Sequence, residues 1–250
     1  MSEERERSFT QQAAAFEDPR LNRLFTTDSE WLFERLPLAA GDLVLDVAAG
    51  TGHVARRLAP QVRTVVALDA TRAMLEQGSA QAPDNVLFVQ GDAAALPFLD
   101  DSFDVVVTRF AVHHFDDPAV QLAEMRRVLK PHGRLAVADL VAHPEAAGTQ
   151  NRLETLRDPS HTRMLELAEL IALVQADDVE FRDVVRPLEP WLLQTVPAPE
   201  AADEIRRALA AEVEGGPPTG FRPRLHGDEL HFVHTMASLI VDMSPIPVGP

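Results

Sequence analysis

The sequence predicts an α/β fold, a doubly wound, Rossmann-like and mostly parallel sheet with seven strands. Three observations predict it. Short apolar runs alternate with helical patterns between residues 41 and 140. The first run feeds a glycine turn, Val44-Leu-Asp-Val-Ala-Ala-Gly50-Thr-Gly52-His-Val-Ala55. Polar residues fall at or just after successive run ends, at Asp46, Asp69, Asp92, Arg109 and Asp139, so one edge of the sheet collects them. In a parallel sheet that edge is where ligands bind.

Taken in order, Phe9, Ala13 and Phe16 recur at helical spacing, and Leu21, Leu24 and Phe25 resume it after Pro19. Trp31, Leu32 and Leu36 lead to a stop at Pro37 and Gly41. Leu43–Val47 is the first expected strand, Thr64–Leu68 the second and Val86–Gln90 the third, with helical patterns over Val54–Leu58 and Arg72–Gln81 between them. Phe103–Thr108 is the fourth strand, its Val105-Val106-Val107 run typical of burial on both faces. A helix over Pro118–Leu129, ended by Pro131 and Gly133, leads to the fifth strand, Arg134–Asp139. Beyond it, Asn151–Leu156 and Thr162–Gln175 read as helices, with Ser160 or His161 available to cap the second. Glu180–Val185 is the sixth strand, Pro199–Glu214 a helix, and Leu230–Met243 a last strand whose pattern also tolerates a helix. Ser244–Pro250 reads as a disordered tail.

Composition narrows the function classes. A net charge of −16 repels nucleic-acid backbones and anionic membranes, so neither is expected as a partner. The chain has no cysteine, which removes disulfides, thiolate nucleophiles and thiolate metal sites. Met1-Ser-Glu-Glu-Arg-Glu-Arg is charged and no apolar signal segment follows it, nor is there an apolar run long enough to span a bilayer. A soluble cytoplasmic protein is the expectation, and oligomeric state is not legible.

The glycine turn admits two ligands. Gly50-Thr-Gly52-His-Val-Ala55 satisfies the dinucleotide fingerprint, a weak signal by itself. A pyrophosphate at a helix N-terminus is repelled by an acid beside it, and Asp46 is such an acid. A cation reverses the sign. S-adenosylmethionine carries a sulfonium and an ammonium and no phosphate, and the acids at Asp46, Asp69 and Asp92 suit it. Asp69 ends the second strand, where a carboxylate accepts hydrogen bonds from a ribose.

These segments resemble the class I S-adenosylmethionine-dependent methyltransferases, on the ubiquinone/menaquinone-biosynthesis-like branch that methylates small molecules. Asp46-Val-Ala-Ala-Gly-Thr-Gly52 is similar to the family's first motif and Val66-Ala-Leu-Asp69 to its second. Gln90-Gly-Asp-Ala-Ala-Ala-Leu-Pro-Phe98, Phe103-Asp-Val-Val-Val-Thr-Arg-Phe-Ala-Val-His-His114 and Arg127-Val-Leu-Lys-Pro-His-Gly133 resemble its later motifs in the right order. The likeness covers about Ser8–Leu140. It implies a single domain: an N-terminal helical lid over residues 1–40, a cofactor-binding core over 41–140, a helical cap inserted after strand five over 141–178, C-terminal strands and a helix over 179–243, and a tail.

The resemblance further implies S-adenosylmethionine as cofactor and S-adenosylhomocysteine as product. Gly50, Gly52 and Ala48 would bring backbone to the methionine moiety, Asp46 would organise its ammonium, and the Arg109 carbonyl would accept from it. Asp69 would hold the ribose, Ala70 and Met74 would flank the adenine, and Asp92 with the Ala93 N–H would meet its edge. Gln11 or Gln12 would belong to the lid. Family members often carry a tyrosine near Phe16, and this chain has none anywhere.

Methyl transfer from a sulfonium is an in-line displacement that needs alignment, exclusion of water and, for some acceptors, removal of a proton. The candidate bases are His114, after strand four, and His161, in the segment after strand five. Each is also explained by packing or capping. Arg157 is placed to orient a polar substrate, whereas Glu166 reads as surface charge. Phe9, Phe16, Phe110, Phe115 and Trp191 could wall an apolar pocket. No metal site is expected: His113 and His114 are adjacent, and a strand puts His231 and His234 on opposite faces. The acceptor, at oxygen, nitrogen or carbon, is a small molecule. Two alternatives stand beside this reading. One is an S-adenosylmethionine-binding sensor or cyclase-like protein that does not methylate. The other is a nicotinamide-dependent oxidoreductase, which Asp46 disfavours.

Overall fold

Unbroken apolar runs become the centre of a sheet because a strand covered on both faces needs no polar alternation. Thus β1 (Leu43–Val47), β2 (Thr64–Asp69), β3 (Val86–Gln90), β4 (Phe103–Arg109) and β5 (Leu129–Val141) lie parallel, in the spatial order β3-β2-β1-β4-β5. The computed structural model describes residues 3–18, 31–195 and 198–243. The sheet continues past β5 with two antiparallel neighbours, β6 (Asp178–Pro187) at the edge and β8 (Glu229–Asp242) between it and β5. An eighth strand, β7 (Arg224–His226), pairs with β8 across the two-residue turn Gly227-Asp228, where Gly227 sits at φ 62°. The strand order reverses between β1 and β4, which opens a crevice at their carboxyl ends.

Side chains alternate across the sheet and fill two cores. Leu45, Val47, Leu68, Val106 and Val137 pack on one face with Leu122 and Met125 of α4 (Pro118–Val128). Val44, Val65, Ala67, Val105 and Val107 pack on the other with Val54 and Leu58 of α2 (His53–Leu58) and with Trp31, Leu32 and Leu36. A third core lies apart from these two. Leu153 of α5 (Ala147–Arg157), Trp191 and Leu192 of α7 (Leu188–Leu192), Ile205 and Leu209 of α8 (Pro199–Val213), Phe221 and Phe232 are all buried together. The remaining helices are α1 (Glu3–Phe16), α3 (Arg72–Ser79) and α6 (Leu167–Val174).

Several boundaries differ from the sequence expectation. The C-terminal segment is a strand and not a helix, because β5 and β6 supply ladder partners on both sides from Arg134 to Val141 and from Asp178 to Pro187. The same pairing lengthens β5 beyond Arg134–Asp139. α4 stops at Val128, ahead of Pro131, because Leu129 is already in the ladder with Phe103. α6 starts at Leu167, not Thr162, because the Thr162 and Arg163 N–H groups donate to the His113 carbonyl at 2.8 and 3.0 Å. Ser160 and His161 therefore cap no helix; Ser160 Oγ–H donates to Asp158 Oδ1 at 2.6 Å. The helical pattern at Leu21, Leu24 and Phe25 and the tail at 244–250 lie outside the described residues. Among the described residues no helix is long and apolar enough to cross a membrane.

One packing contact couples the sheet's glycine turn to its neighbouring helix. A Cβ built on Gly78 of α3 would fall 2.2 Å from the Thr51 carbonyl oxygen, so only glycine lets α3 lie against the turn. Gly78→Ala is expected to lower stability by about 1–3 kcal/mol. Gly148→Ala in α5, where a Cβ meets nothing within 4 Å, is expected to be neutral or to stabilise slightly. Denaturant unfolding of the two variants checks the contrast.

Candidate active site

At the end of β1 the chain must turn sharply beneath whatever occupies the crevice. Ala48 and Gly50 take left-handed backbone conformations, φ 55° and 56°, and so does Phe110 just after β4, at φ 54°. A left-handed alanine or phenylalanine is uncommon and strained, and both line the same cavity. Asp69 holds the turn. Its Oδ2 accepts the Gly50 N–H and its Oδ1 the Thr71 N–H, each at 2.8 Å. Asp46, only 1% exposed, accepts the Ala55 N–H at 3.0 Å. Burial pushes its carboxyl up to about 7, against the opposing pull of Arg109 and of that N–H. Arg109 itself is brought down to about 10 by burial, with the Asp46 charge resisting the fall.

The resulting cavity encloses about 1660 Å³, its open mouth included. α1 lies across it and is fastened at both ends. Near its start, Arg5 makes a two-pronged ion pair with Asp116, at 2.7 and 3.0 Å, and also donates to Thr162 Oγ1. Past its end, His53 Nε2–H donates to the Phe16 carbonyl at 3.0 Å, while Arg56 bridges Glu17 and the Thr51 carbonyl at 2.8 and 2.6 Å. Between the two, Phe9 packs edge-on to His114, and Gln12 Nε2 reaches Asp158 at 3.5 Å.

Beyond the glycine turn, the cavity wall turns to histidine and carboxylate. His113, after β4, hydrogen-bonds through Nδ1 to the fully buried Asp139 of β5, whose Oδ2 also accepts the His113 N–H. Burial opposes charge on this imidazole, yet Asp139 wins and holds its pKa above the usual histidine value. His114 has a different environment. It donates Nδ1–H to the Ser160 carbonyl at 2.9 Å, and burial, with His113 beside it, pushes it down to about 3. His161 donates Nε2–H to Asn151 Oδ1 at 2.8 Å and is pushed down to about 4 by burial. Its ring stands 5.6 Å from that of His113, but it does not line the cavity.

The expected cofactor residues Gln12, Asp46, Ala48, Gly50, Asp69, Ala70, Met74, Asp92, Ala93 and Arg109 all line this one cavity. Gly52 does not; at φ 78° it caps α2, and an added Cβ would meet the Phe88 ring at 2.9 Å. The five aromatic side chains expected to wall a pocket, Phe9, Phe16, Phe110, Phe115 and Trp191, do line it, as does Arg157. Glu166 is exposed, as expected of surface charge. Sequence reasoning missed His113, Asp139 as its partner, Arg186 and His234. The signal for the first two was present, since Asp139 ends the strand expected after the paired histidines.

Residues 45–137 match the model of a family described as a methyltransferase domain. The chain is 41% identical over 147 residues to the uncharacterized methyltransferase YcgJ of Bacillus subtilis, covering 56% of this chain and 58% of that protein. It is 48% identical over 104 residues to a demethylmenaquinone methyltransferase of Renibacterium salmoninarum, covering 42% of this chain and 43% of that one. The crystal structure of YcgJ superposes with a TM-score of 0.70 at 30% identity, over 88% of this chain and 96% of that one. This chain belongs to the class I S-adenosylmethionine-dependent methyltransferase family. A Bacillus halodurans methyltransferase-like fold agrees, at TM-score 0.77 and 27% identity over 88% of this chain and all of that one. The chain thus spans about half the length of the curated relatives it matches, with shares of 58% and 43%.

For a member of this family, the buried Asp46 has a measurable consequence. A ligand bearing an ammonium beside Asp46 favours the carboxylate, so binding lowers its pKa from about 7 and releases a proton near neutral pH. The affinity for S-adenosylhomocysteine is expected to rise with pH through about 7. Asp46→Asn is expected to weaken binding and flatten that dependence. Calorimetry in buffers of different ionisation enthalpy reads the proton release directly.

Proposed function

We propose that the protein transfers a methyl group from S-adenosylmethionine to a small-molecule acceptor, with His113, oriented by Asp139, as general base. His113 in the cavity wall, hydrogen-bonded to the buried Asp139 behind it, is the observation that carries the reading.

The residues at the β1 end fit the cofactor. Asp46 and Arg109 offer opposite charges to the ammonium and carboxylate of its methionine end, and Thr51 Oγ1 is a buried hydroxyl without a partner there. Asp69 lines the cavity at the end of β2, where its carboxylate can accept from ribose hydroxyls. Met74 and Ala93 are apolar walls for an adenine, with Asp92 at its edge. S-adenosylmethionine, when bound, supplies a methyl group activated by its sulfonium.

At the acceptor end, the bond to Asp139 fixes the His113 tautomer. Nδ1 carries the hydrogen, and Nε2 presents a lone pair to take the acceptor's proton. Asp139 then stabilises the imidazolium. His114 and His161 suit this task less, because burial holds them at about 3 and about 4. α1 lies across the cavity, which suits a small acceptor better than a macromolecule, and the net charge of −16 argues against nucleic acid. Two relatives, by their names, act on small molecules: demethylmenaquinone and 27-O-demethylrifamycin SV.

Titration with S-adenosylhomocysteine and with NADPH tests the cofactor; binding of the dinucleotide alone overturns the reading, and Asp69→Ala is expected to abolish nucleoside binding. Methyl transfer is expected to fall as pH drops below the raised His113 pKa, because the base must be neutral. His113→Gln is expected to lose about 10²–10⁴ in kcat and that acid limb with it. Asp139→Asn should move the limb to lower pH. Full activity of His113→Gln would remove His113 from the mechanism.

A further inference from the structure

The cavity has a second end on the β5 side of the sheet. Thr235 of β8 pairs with Val141, the last residue of β5, so His234 stands at the same carboxyl edge as the glycine turn. Its ring is buried and lines the cavity, whereas its partner Glu154 of α5 does not line it. The ring meets Glu154 Oε1 through Nε2 at 2.8 Å. Arg157 and His234 hold Glu154 below the usual carboxylate range despite burial, so the hydrogen of that bond belongs to the ring. Burial keeps the ring neutral, bringing it down to about 4 against the pull of Glu154. A neutral imidazole has one N–H, and Nδ1 is therefore a bare lone pair. It is buried and has no hydrogen-bond partner among the described residues.

A second unmet group belongs to the same corner. Gln194, just past α7, lines the cavity, and its Nε2 is a buried donor without a partner among the described residues. Its backbone N–H returns to the Trp191 carbonyl at 3.3 Å, and the Trp191 ring stands 5.8 Å from that of His234. The charged groups nearby are already engaged. Arg157 Nε donates to Glu154 at 3.0 Å, Asp158 accepts from the Ser160 N–H and hydroxyl, and Arg186 has partners of its own, Met236 Sδ among them. What stays unmet on His234 and Gln194 is one lone pair and one N–H, both uncharged. A buried polar group left unmet is costly, and a bound molecule that meets it recovers the loss.

We propose that His234 and Gln194 form a hydroxyl-recognising subsite for the methyl acceptor, in which an O–H of the acceptor donates to His234 Nδ1 and Gln194 Nε2 donates to an oxygen of the same molecule. A hydroxyl both donates and accepts, so this one uncharged group has the chemistry to answer the lone pair and the N–H. An ether or a carbonyl brings no hydrogen for Nδ1, and an ammonium brings no oxygen for Gln194. Trp191 supplies an apolar wall beside the pair. The acceptor class is therefore a hydroxylated molecule with an apolar body, whose methylated group is a separate one that reaches His113. A site built around a substrate hydroxyl discriminates strongly against the analogue without it. This inference rests on the methyltransferase reading above.

The test titrates phenol and fluorobenzene, alike in shape but only the first with an O–H, into the S-adenosylhomocysteine-loaded protein. Nitrogen NMR of the histidine-labelled protein reads the ring directly. Phenol is expected to shift the His234 Nδ1 resonance toward that of a hydrogen-bonded nitrogen, and fluorobenzene to leave it in place. The same measurement in His113→Gln removes the proposed base as a competitor for the O–H, and the shift is expected to persist. Gln194→Leu, at a half-buried position outside the sheet, is expected to weaken phenol by about threefold to tenfold while fluorobenzene is unaffected. A His234 Nδ1 resonance that stays put at saturating phenol, or an equal loss for both probes in Gln194→Leu, overturns the subsite. Binding of S-adenosylhomocysteine then leaves the methyltransferase reading standing. Failure of S-adenosylhomocysteine to bind, with the phenol shift intact, overturns the methyltransferase reading instead.

Discussion

Backbone hydrogen bonds to Asp69 organise the glycine-turn end of the cavity. One carboxylate, at the end of β2, receives the N–H of Gly50 from the turn after β1 and the N–H of Thr71 from the turn before α3. It thereby fixes the relative height of two turns that the sheet alone leaves loose. Burial raises the Asp69 pKa while those N–H groups, Thr71 first, pull it back. The left-handed Ala48 and Gly50, and the close approach of Gly78 to Thr51, are consequences of the same tight path. A strained turn persists when the surroundings over-determine it.

A second arrangement of the same kind is built from buried charge. Glu154 binds Arg157 and His234 at once, and Asp139 binds His113. An isolated ion at any of these depths would neutralise itself. Arg157 and His234 around Glu154 hold its carboxyl below the usual range despite burial. A carboxylate partner does not by itself decide a histidine's state, since His234 beside Glu154 is pushed down to about 4 by burial, but the adjacent His113 and His114 do divide. His113 faces a carboxylate and is held up; His114 faces a carbonyl, beside His113, and is pushed down. Adjacent residues of one type thus acquire opposite acid–base character, and only the one with a carboxylate can accept a proton near neutral pH.

The central sheet was largely legible because its cause is local. Apolar runs of the right length, punctuated by Gly50, Gly52, Pro131 and Gly133, specify β1 to β5 and the edge that collects Asp46, Asp69 and Arg109. Boundaries that depend on a partner were less legible. The last strand's pattern served a helix equally well until β5 and β6 flanked it, and α6 lost its first turn to the His113 carbonyl. In the site, the residues that the family resemblance implies for the cofactor, Gly52 excepted, line one cavity, Gln12 of α1 among them.

The sequence by itself determined the alternation of strands and helices, the acidic binding edge and the absence of thiol chemistry. Those are properties of short windows or of composition, which neighbours along the chain settle. The tertiary structure decided which histidine meets a carboxylate, that Gly52 serves packing, and that Arg186 and His234 point into the cavity. Each of these joins residues far apart in sequence, such as His234 and Glu154, 80 positions apart. Such pairings depend on how α5 seats on β8, and no local pattern encodes that.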